Sequence, residues 1–228
     1  QMSFEILDEN EVPVASAFAE YAHGLGSSVR TGIDIGPEHD HLLALDEPLG
    51  AAGGVAEGDA GARHVVNVDF AESSLAVGKD NARLNELPIR VRFVKSDAFA
   101  ALRQYAGLGQ PKMVRGKHLP PFPELAPHRF DLVFLDPPRY AKSPFGVVDL
   151  VHDYAALFKP ALLATEEGGT LICCNNAAEL TREVWADQLA RCAAKIGRTI
   201  RELEWIVPED DFPSHDGRPP LKIALLRV

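Results

Sequence analysis

Short apolar runs that end on a polar or acidic residue alternate along the chain with segments of helical spacing. Apolar and β-branched residues cluster in the segments that we predict as strands, which are 42–45, 64–68, 91–94, 131–135, 170–174, 201–207 and 221–228. Apolar residues or good helix formers dominate the segments that we predict as helices, which are 71–85, 98–105, 147–165 and 178–196. This alternation predicts an α/β fold with right-handed crossovers and a mostly parallel sheet.

The end of the chain departs from the alternation. The last two predicted strands are joined by a polar segment rich in Pro and Gly, residues 208–220, with no helix between them. We therefore expect an antiparallel hairpin at one edge of the sheet. The runs 131–135 and 170–174 are almost continuously apolar, which is typical of strands with helices on both faces of the sheet.

The predicted domain covers residues 42–228. Residues 1–41 show no clear pattern and are treated as an N-terminal extension, and residues 107–128 read as an inserted loop because they hold five prolines and several cations. The length of 228 residues is sufficient for one well-buried core. No apolar stretch approaches the ~18 residues of a membrane helix, and no charged segment followed by an apolar run opens the chain.

Cysteine and charge content narrow the function classes. The three cysteines include the adjacent pair Cys173 and Cys174, and their spacing fits neither a disulfide framework nor a zinc site. We expect a cytoplasmic protein with no metal. The net charge of −10 argues against a stand-alone nucleic-acid binder, so an RNA partner would require a local basic patch or a second domain.

Four predicted strands end on aspartate, at Asp46, Asp69, Asp97 and Asp136. Ligands of open α/β sheets bind beyond the carboxyl ends of the strands. An aspartate after the second strand can accept both ribose hydroxyls of an adenosine, and one after the third strand can accept the adenine amino group. The alternative is that the four residues only cap the helices that follow.

The turn after the first strand is unusual. Gly50 follows Asp46 and lacks a Cβ, so the backbone there can approach a ligand closely. Several further glycines make the next segment a poor helix. The segment Gly32–Gly36 offers a rival glycine turn, and a plain surface loop is open for either.

The sharpest motif is Asp136-Pro137-Pro138-Arg139-Tyr140. Two prolines after a buried strand stop the hydrogen-bond ladder and fix the backbone. Rigid carbonyl oxygens, a carboxylate and the Tyr140 ring would then stand at the ligand edge of the sheet, where a planar base could bond and stack. A strand terminator without chemistry is the alternative.

These residues, together with Asp69, Asp97 and the Gly168-Gly169-Thr170 turn, resemble the class I S-adenosylmethionine-dependent methyltransferases. The motif of residues 135–140 is most similar to bacterial 23S rRNA methyltransferases that carry Leu-Asp-Pro-Pro followed by Arg or Lys and an aromatic residue. The segment Pro219–Lys222 is similar to the end of that group. The resemblance implies a seven-stranded sheet with a reversed last strand and S-adenosylmethionine as cofactor.

The resemblance also implies roles for individual residues. Asp46 and Gly50 would lie in the cofactor loop. Asp69 would bind the ribose with Phe70 beside the adenine, and Asp97 would bind the adenine amino group with Ala98 next to it. Asp136, Pro137, Pro138 and Tyr140 would form the methyl-transfer site.

The chain departs from relatives that methylate cytosine C5. Their nucleophilic cysteine would align with Asn176, and Cys174-Asn175-Asn176 instead resembles the Ser-Asn-Asn of relatives that methylate guanine N7. Cytosine C5 requires a thiolate that first adds to C6, whereas a ring nitrogen with a lone pair requires only in-line positioning. We therefore expect guanine N7 or another ring or exocyclic nitrogen, with Cys174 as a less favoured thiolate on a buried strand.

The leading hypothesis is a methyltransferase that acts on a nucleic-acid base, with ribosomal RNA as its partner. A methyltransferase for small molecules or proteins is one alternative, and a binding protein with a degenerate cofactor site is another. A basic cluster could contact RNA or simply be solvated, and consists of Lys112, Arg115, Lys117, His118, Arg139 and Lys142. A membrane partner is not expected, and a homodimer is left open.

Overall fold

A computed structural model describes residues 40–45, 64–86, 91–114, 116–207 and 220–228. Residues 40–45, 140–143, 147 and 148 are described by their backbone. Several sequence predictions lie outside these residues, namely the roles of Asp46 and Gly50, the rival turn Gly32–Gly36, the loop cation Arg115 and most of the predicted extension 1–41.

The secondary structure follows the chain in this order. The strands are β1 (Asp40–Leu45), β2 (His64–Asp69), β3 (Val91–Lys95), β4 (Met113–Val114), β5 (Lys117–His118), β6 (Phe130–Asp136), β7 (Tyr140–Ser143), β8 (Gly146–Asp149), β9 (Thr165–Asn175), β10 (Glu202–Ile206) and β11 (Lys222–Arg227). The helices are α1 (Glu72–Leu84), α2 (Ala98–Tyr105), α3 (Tyr154–Ala164) and α4 (Arg182–Lys195).

One mixed sheet of seven strands organises the fold, in the order β10-β11-β9-β6-β1-β2-β3. Neighbouring strands from β3 to β9 are parallel, so their carboxyl ends lie at one edge of the sheet. Strand β11 runs antiparallel to both β9 and β10. The expected antiparallel pairing of the last two strands is therefore observed, with β10 at the edge.

The core lies on both faces of this sheet because alternate strand residues point in opposite directions. Val133 and Leu135 of β6 belong to a large apolar cluster to which α2, α3 and α4 contribute. Leu132 and Phe134 belong to a second cluster, to which α1 contributes Ala82. The chain thus has an α/β fold with helices against each face.

The predicted helix 147–165 is wrong in its first third. Residues 146–149 form β8, which pairs with β7 through the two-residue turn Pro144-Phe145, and α3 begins only at Tyr154. Gly146 has a φ of 128°, a conformation that L side chains rarely adopt. The β-branched pair Val147-Val148 suits a strand, so the apolar run contains a hairpin strand followed by a helix.

Strand β9 begins five residues before its predicted start, and two glycines allow the irregular path of this added segment. The pairing with β6 shifts register between Phe130 and Leu132. Gly168 has a φ of 85°, and a Cβ on Gly169 would lie 2.9 Å from the backbone oxygen of Asp131. The Gly168 and Gly169 backbones both bond to Val228, so the irregular segment is tied to the end of β11.

Candidate functional site at the carboxyl edge of the sheet

Asp69 ends β2 and is fully buried. Its Oδ1 accepts a hydrogen bond from the Ala71 N–H at 2.7 Å, and its backbone oxygen accepts one from the Ser96 N–H at 3.0 Å. The N-cap residue of α1 is Ala71, without a side-chain cap. Asp69 is therefore not the cap of the next helix, and it joins the ends of β2 and β3.

Asp97 follows β3 and does cap a helix. Its Oδ1 accepts a hydrogen bond from the Ala100 N–H at 3.0 Å at the start of α2. Ala98 is buried, whereas Phe70, which follows Asp69, exposes 60% of its surface. The structure describes three of the strand-end aspartates, and among these Asp97 caps the helix that follows it.

Acceptors and an apolar ring thus adjoin at two neighbouring strand ends. Carboxylates of Asp69 and Asp97 can accept hydrogen bonds from hydroxyl and amino groups. The exposed Phe70 ring offers a surface that a planar base would cover. These acceptors and this ring fit the adenosine part of S-adenosylmethionine.

Asp136 lies at the centre of the same edge. Strand β6 pairs with β1 and β9, and Asp136 is in register with Leu45 of β1. Strand β1 alone separates β6 from β2, so two strand spacings, about 9–10 Å, separate their ends. Asp136 is half-buried, and the buried Pro137 follows it. The edge therefore carries a third carboxylate within the span of one extended cofactor.

The segment after Asp136 is attached to the loop after β9. Arg139 forms an ion pair with Glu179, and its backbone oxygen accepts a hydrogen bond from the Leu150 N–H. Asp149 binds the His152 ring at 2.9 Å, and this pair lowers the pKa of the carboxyl and raises that of the imidazole. The backbone of Tyr140 begins β7, and its side chain lies outside the described atoms. The hairpin β7–β8 is held against the site by these contacts.

The loop after β9 is built on Asn175. This buried side chain donates from Nδ2 to the Leu150 oxygen at 3.3 Å and accepts at Oδ1 from the Ala177 N–H at 2.9 Å. Lys222 is also buried and donates from Nζ to the Ala177 oxygen at 2.8 Å. Asn176 stands exposed between these fixed neighbours. Its placement therefore depends on Asn175 and Lys222, which the sequence did not single out as site residues.

The adjacent cysteines point to opposite faces of the sheet. Burial raises the pKa of the Cys173 thiol to about 12. Burial also raises the pKa of Cys174 well above its ordinary value, and the neighbouring Asp136 carboxylate adds to the effect. Tyr154 packs under the same edge, and burial raises the pKa of its phenol. Both thiols are therefore protonated at neutral pH.

The predicted basic cluster is divided in the structure. Lys112, Lys117 and His118 are exposed on and beside the small hairpin β4–β5, within the predicted insert 107–128. Arg139 is instead paired with Glu179. Within the described ranges there is no group of three His, Cys, Asp or Glu side chains that could hold a metal ion. The helices described there include none with the length and apolar character that crossing a membrane requires.

Comparison with known proteins identifies the family. Residues 49–227 match the family of S-adenosylmethionine-dependent methyltransferases, which is more than half of the chain. The chain belongs to this enzyme family, whose cofactor is S-adenosylmethionine. The resemblance derived from the sequence motifs is confirmed at this level.

Individual relatives show how much of the chain is shared. The ribosomal RNA large subunit methyltransferase I of Tolumonas auensis is 29% identical over 154 residues, which are 67% of this chain and 34% of that protein. The same-named protein of Vibrio vulnificus is 26% identical over 162 residues, 70% of this chain and 36% of its own. The chain thus spans about a third of the length of the curated relatives it matches.

Among solved structures, SMU.776, described as a methyltransferase complexed with SAH, gives a TM-score of 0.66 at 21% identity. The similarity covers 94% of this chain and 48% of that one. At this identity the similarity shows a shared fold.

Proposed function

We propose that this chain transfers a methyl group from S-adenosylmethionine to a base of RNA, with ribosomal RNA as the favoured substrate. The observation that carries the proposal is the edge of the sheet, which Asp69 and Asp97 share with the segment Asp136-Pro137-Pro138. Membership of the methyltransferase family and the names of the relatives support it.

The adenosine end of the cofactor would lie over β2 and β3. In this proposal Asp69 accepts the ribose hydroxyls, Phe70 lies beside the adenine, and Asp97 accepts the adenine amino group next to Ala98. When bound, S-adenosylmethionine supplies an electrophilic methyl group on a positively charged sulfur. Asp46 and Gly50 remain predicted contributors to the cofactor loop.

The base would lie over β6 and β9. Asp136, Pro137 and Pro138 form its floor, and Tyr140 is proposed to stack on it. Asn176 is exposed and can donate or accept a hydrogen bond to a base edge. The connections through Arg139 and Lys222 hold the two loops that carry these groups, which favours in-line positioning.

We propose a nitrogen atom as the methyl acceptor, with guanine N7 or another ring or exocyclic nitrogen ahead of cytosine C5. Transfer to C5 requires a thiolate that adds to C6, and the pKa values of Cys173 and Cys174 are raised. Transfer to nitrogen forms one N–C bond as the S–C bond breaks. S-adenosylhomocysteine leaves, and an exocyclic nitrogen also releases a proton to water.

Two alternatives are each supported by one observation. The net charge of −10 favours a small-molecule or protein substrate. The unusual glycine turn in the sequence after β1 favours a binding protein with a degenerate cofactor site.

Calorimetric titration with S-adenosylhomocysteine tests the cofactor site. We expect a dissociation constant near ~1 μM for the parent chain. Asp97→Asn should bind at least ~10-fold more weakly, because asparagine still caps α2 but presents an amide donor to the adenine amino donor. Asp187→Asn, an exposed carboxylate on α4 paired with Arg191, is the matched control. A folded parent that does not bind would favour the binding-protein alternative.

The substrate is tested with labelled S-adenosylmethionine and unmodified large-subunit ribosomal RNA. Nucleosides from the digested product are identified by mass spectrometry. We expect a nucleoside methylated on nitrogen, and 5-methylcytidine would contradict the proposed chemistry. RNA that stays unlabelled, although the chain binds S-adenosylhomocysteine, would contradict RNA as the substrate.

A further inference from the structure

The insert between α2 and β6 encloses a groove that the methyl-transfer chemistry does not use. This open groove has a volume of about 620 Å³. Side chains of α2 and of the insert line it, including Gln104, Gln110, Lys112, His118, Phe122 and Leu125. We call it the insert groove.

Side chains of α2 hold the insert in place. Gln104 donates from Nε2 to the Pro123 oxygen at 2.9 Å and accepts at Oε1 from the Leu125 N–H at 3.0 Å. Arg103 donates to the Gly109 oxygen at 3.2 Å, and the buried Leu125 belongs to the main core cluster. Hydrogen bonds and core packing therefore fix the shape of the groove.

Three aromatic rings connect the groove to the functional edge. Phe122 of the insert stacks on Phe145 with 5.6 Å between ring centroids and an interplanar angle of 14°. Phe145 also meets Phe99 edge-on at 4.6 Å. Phe145 is the tip of the hairpin that follows Asp136-Pro137-Pro138, and Phe99 lies two residues after Asp97. The insert groove is thus tied to both the base half and the cofactor half of the proposed site.

Cations lie on and beside the groove in an acidic chain. Lys112 lines the groove, Lys117 is exposed on the neighbouring strand β5, and Arg103 donates to the groove-lining Gly109. Glu124 is the acid among the described residues that line the groove. The chain as a whole has a net charge of −10. Gln110 also lines the groove, and its side chain donates to the backbone oxygen of Ala100 in α2. Cations beside an aromatic ring suit a single-stranded nucleic acid.

We propose that the insert groove binds a single-stranded segment of the substrate RNA beside the base that is methylated. The inference rests on the proposed function, because it presumes an RNA substrate. Lys112 and Lys117 contact phosphates, and Phe122 stacks with a base. The groove thereby selects which RNA segment reaches Asp136.

Charge reversal tests the groove directly. The double variant Lys112→Glu/Lys117→Glu is compared with Lys159→Glu/Lys195→Glu, which reverses two exposed cations on α3 and α4. Filter binding of unmodified large-subunit ribosomal RNA is measured at several salt concentrations, with the affinity for S-adenosylhomocysteine measured in parallel. We expect the groove variant to bind RNA at least ~10-fold more weakly, with a salt slope lower by about 1.4. The control should lose less than ~2-fold.

A second variant tests the ring. Phe122→Leu keeps an apolar side chain in the insert and should weaken RNA binding about 5-fold or more without changing the salt slope. If the parent methylates RNA and the groove and control variants bind RNA equally well, RNA binding in the insert groove is overturned. The proposed function is then still supported. A parent that binds S-adenosylhomocysteine but methylates no RNA would overturn both.

Discussion

Lys222 is a buried cation that connects the last strand to the loop that carries Asn176. Its side chain is 7% exposed, and Nζ donates to the carbonyl oxygens of Ala177 at 2.8 Å and Pro220 at 2.6 Å. Burial lowers its pKa, and the nearby Arg182 lowers it further. We expect Lys222→Met to preserve the fold and cofactor binding but to loosen this loop and slow methyl transfer.

The magnitude follows from two opposing effects. Hydrogen bonds from a charged donor contribute roughly 1.5–3 kcal/mol each, so losing both removes about 3–6 kcal/mol. Burying the ammonium costs part of that gain, and methionine avoids this cost. We expect a net loss of about 2 kcal/mol, which lowers Tm by about 4–8 °C in a chain of this size. A displacement of Asn176 by about 1 Å would lower kcat on the order of 100-fold.

The assay separates structure from positioning. Thermal melting, S-adenosylhomocysteine affinity, kcat and KM are measured for Lys222→Met and for Lys159→Met, an exposed control on α3. We expect cofactor affinity within ~2-fold of the parent, since β11 lies four strands from β2 in the sheet. If Lys222→Met is less stable but keeps its kcat, Lys222 has no positioning role. If its affinity for S-adenosylhomocysteine falls as much as its kcat, the cofactor half and the base half of the site are not independent.

Further expectations concern the two glycines of β9 and the two adjacent cysteines. Gly169→Ala should destabilise the chain by about 1–3 kcal/mol, because its Cβ would stand 2.9 Å from the Asp131 oxygen. A Cβ on Gly168 meets open space, so Gly168→Ala should cost only about 1–2 kcal/mol, because its φ of 85° disfavours an L side chain. Urea unfolding measures both variants. A Gly168→Ala variant that is clearly less stable than Gly169→Ala would contradict the proposed clash with Asp131. The raised thiol pKa, about 12 for Cys173, should keep alkylation of both cysteines by iodoacetamide slow up to about pH 9 in the native chain. Cys174→Ala should retain methyl transfer within about 3-fold, and a loss of about 100-fold or more would restore the covalent route.

The elements that the sequence predicted well are those with a clear local period. Helix α2 has the predicted bounds, Ala98–Tyr105, because Asp97 caps it and apolar residues recur along it. The strand at 131–135 is extended by only one residue at each end. The hairpin β7–β8 was missed because its apolar residues run directly into those of α3. Its Phe145 tip packs on Phe99 and Phe122, and such long-range contacts leave no periodic signal.

The candidate site was predictable to the extent that topology alone fixes it. Parallel strands bring their ends to one edge, so the sequence alone is sufficient to group Asp69, Asp97 and Asp136. The role of Lys222 depends on a hydrogen bond to a residue 45 positions earlier. That bond exists because β11 returns antiparallel beside β9, and a single sequence does not encode such a register in its pattern.

The acidity of the chain and an RNA substrate are compatible because charges act locally at physiological salt. The Debye length there is about 8 Å, so most surface carboxylates are screened from an RNA bound at one place. What decides the contact is the sign of the charges within that distance. Lys112 lines the insert groove and Lys117 and Arg103 lie on the neighbouring segments, while ion pairs neutralise Glu179 and Asp187 elsewhere. For the proposed RNA substrate, a global charge of −10 would therefore slow the encounter more than it weakens the bound state, and the few groove cations would control where RNA binds.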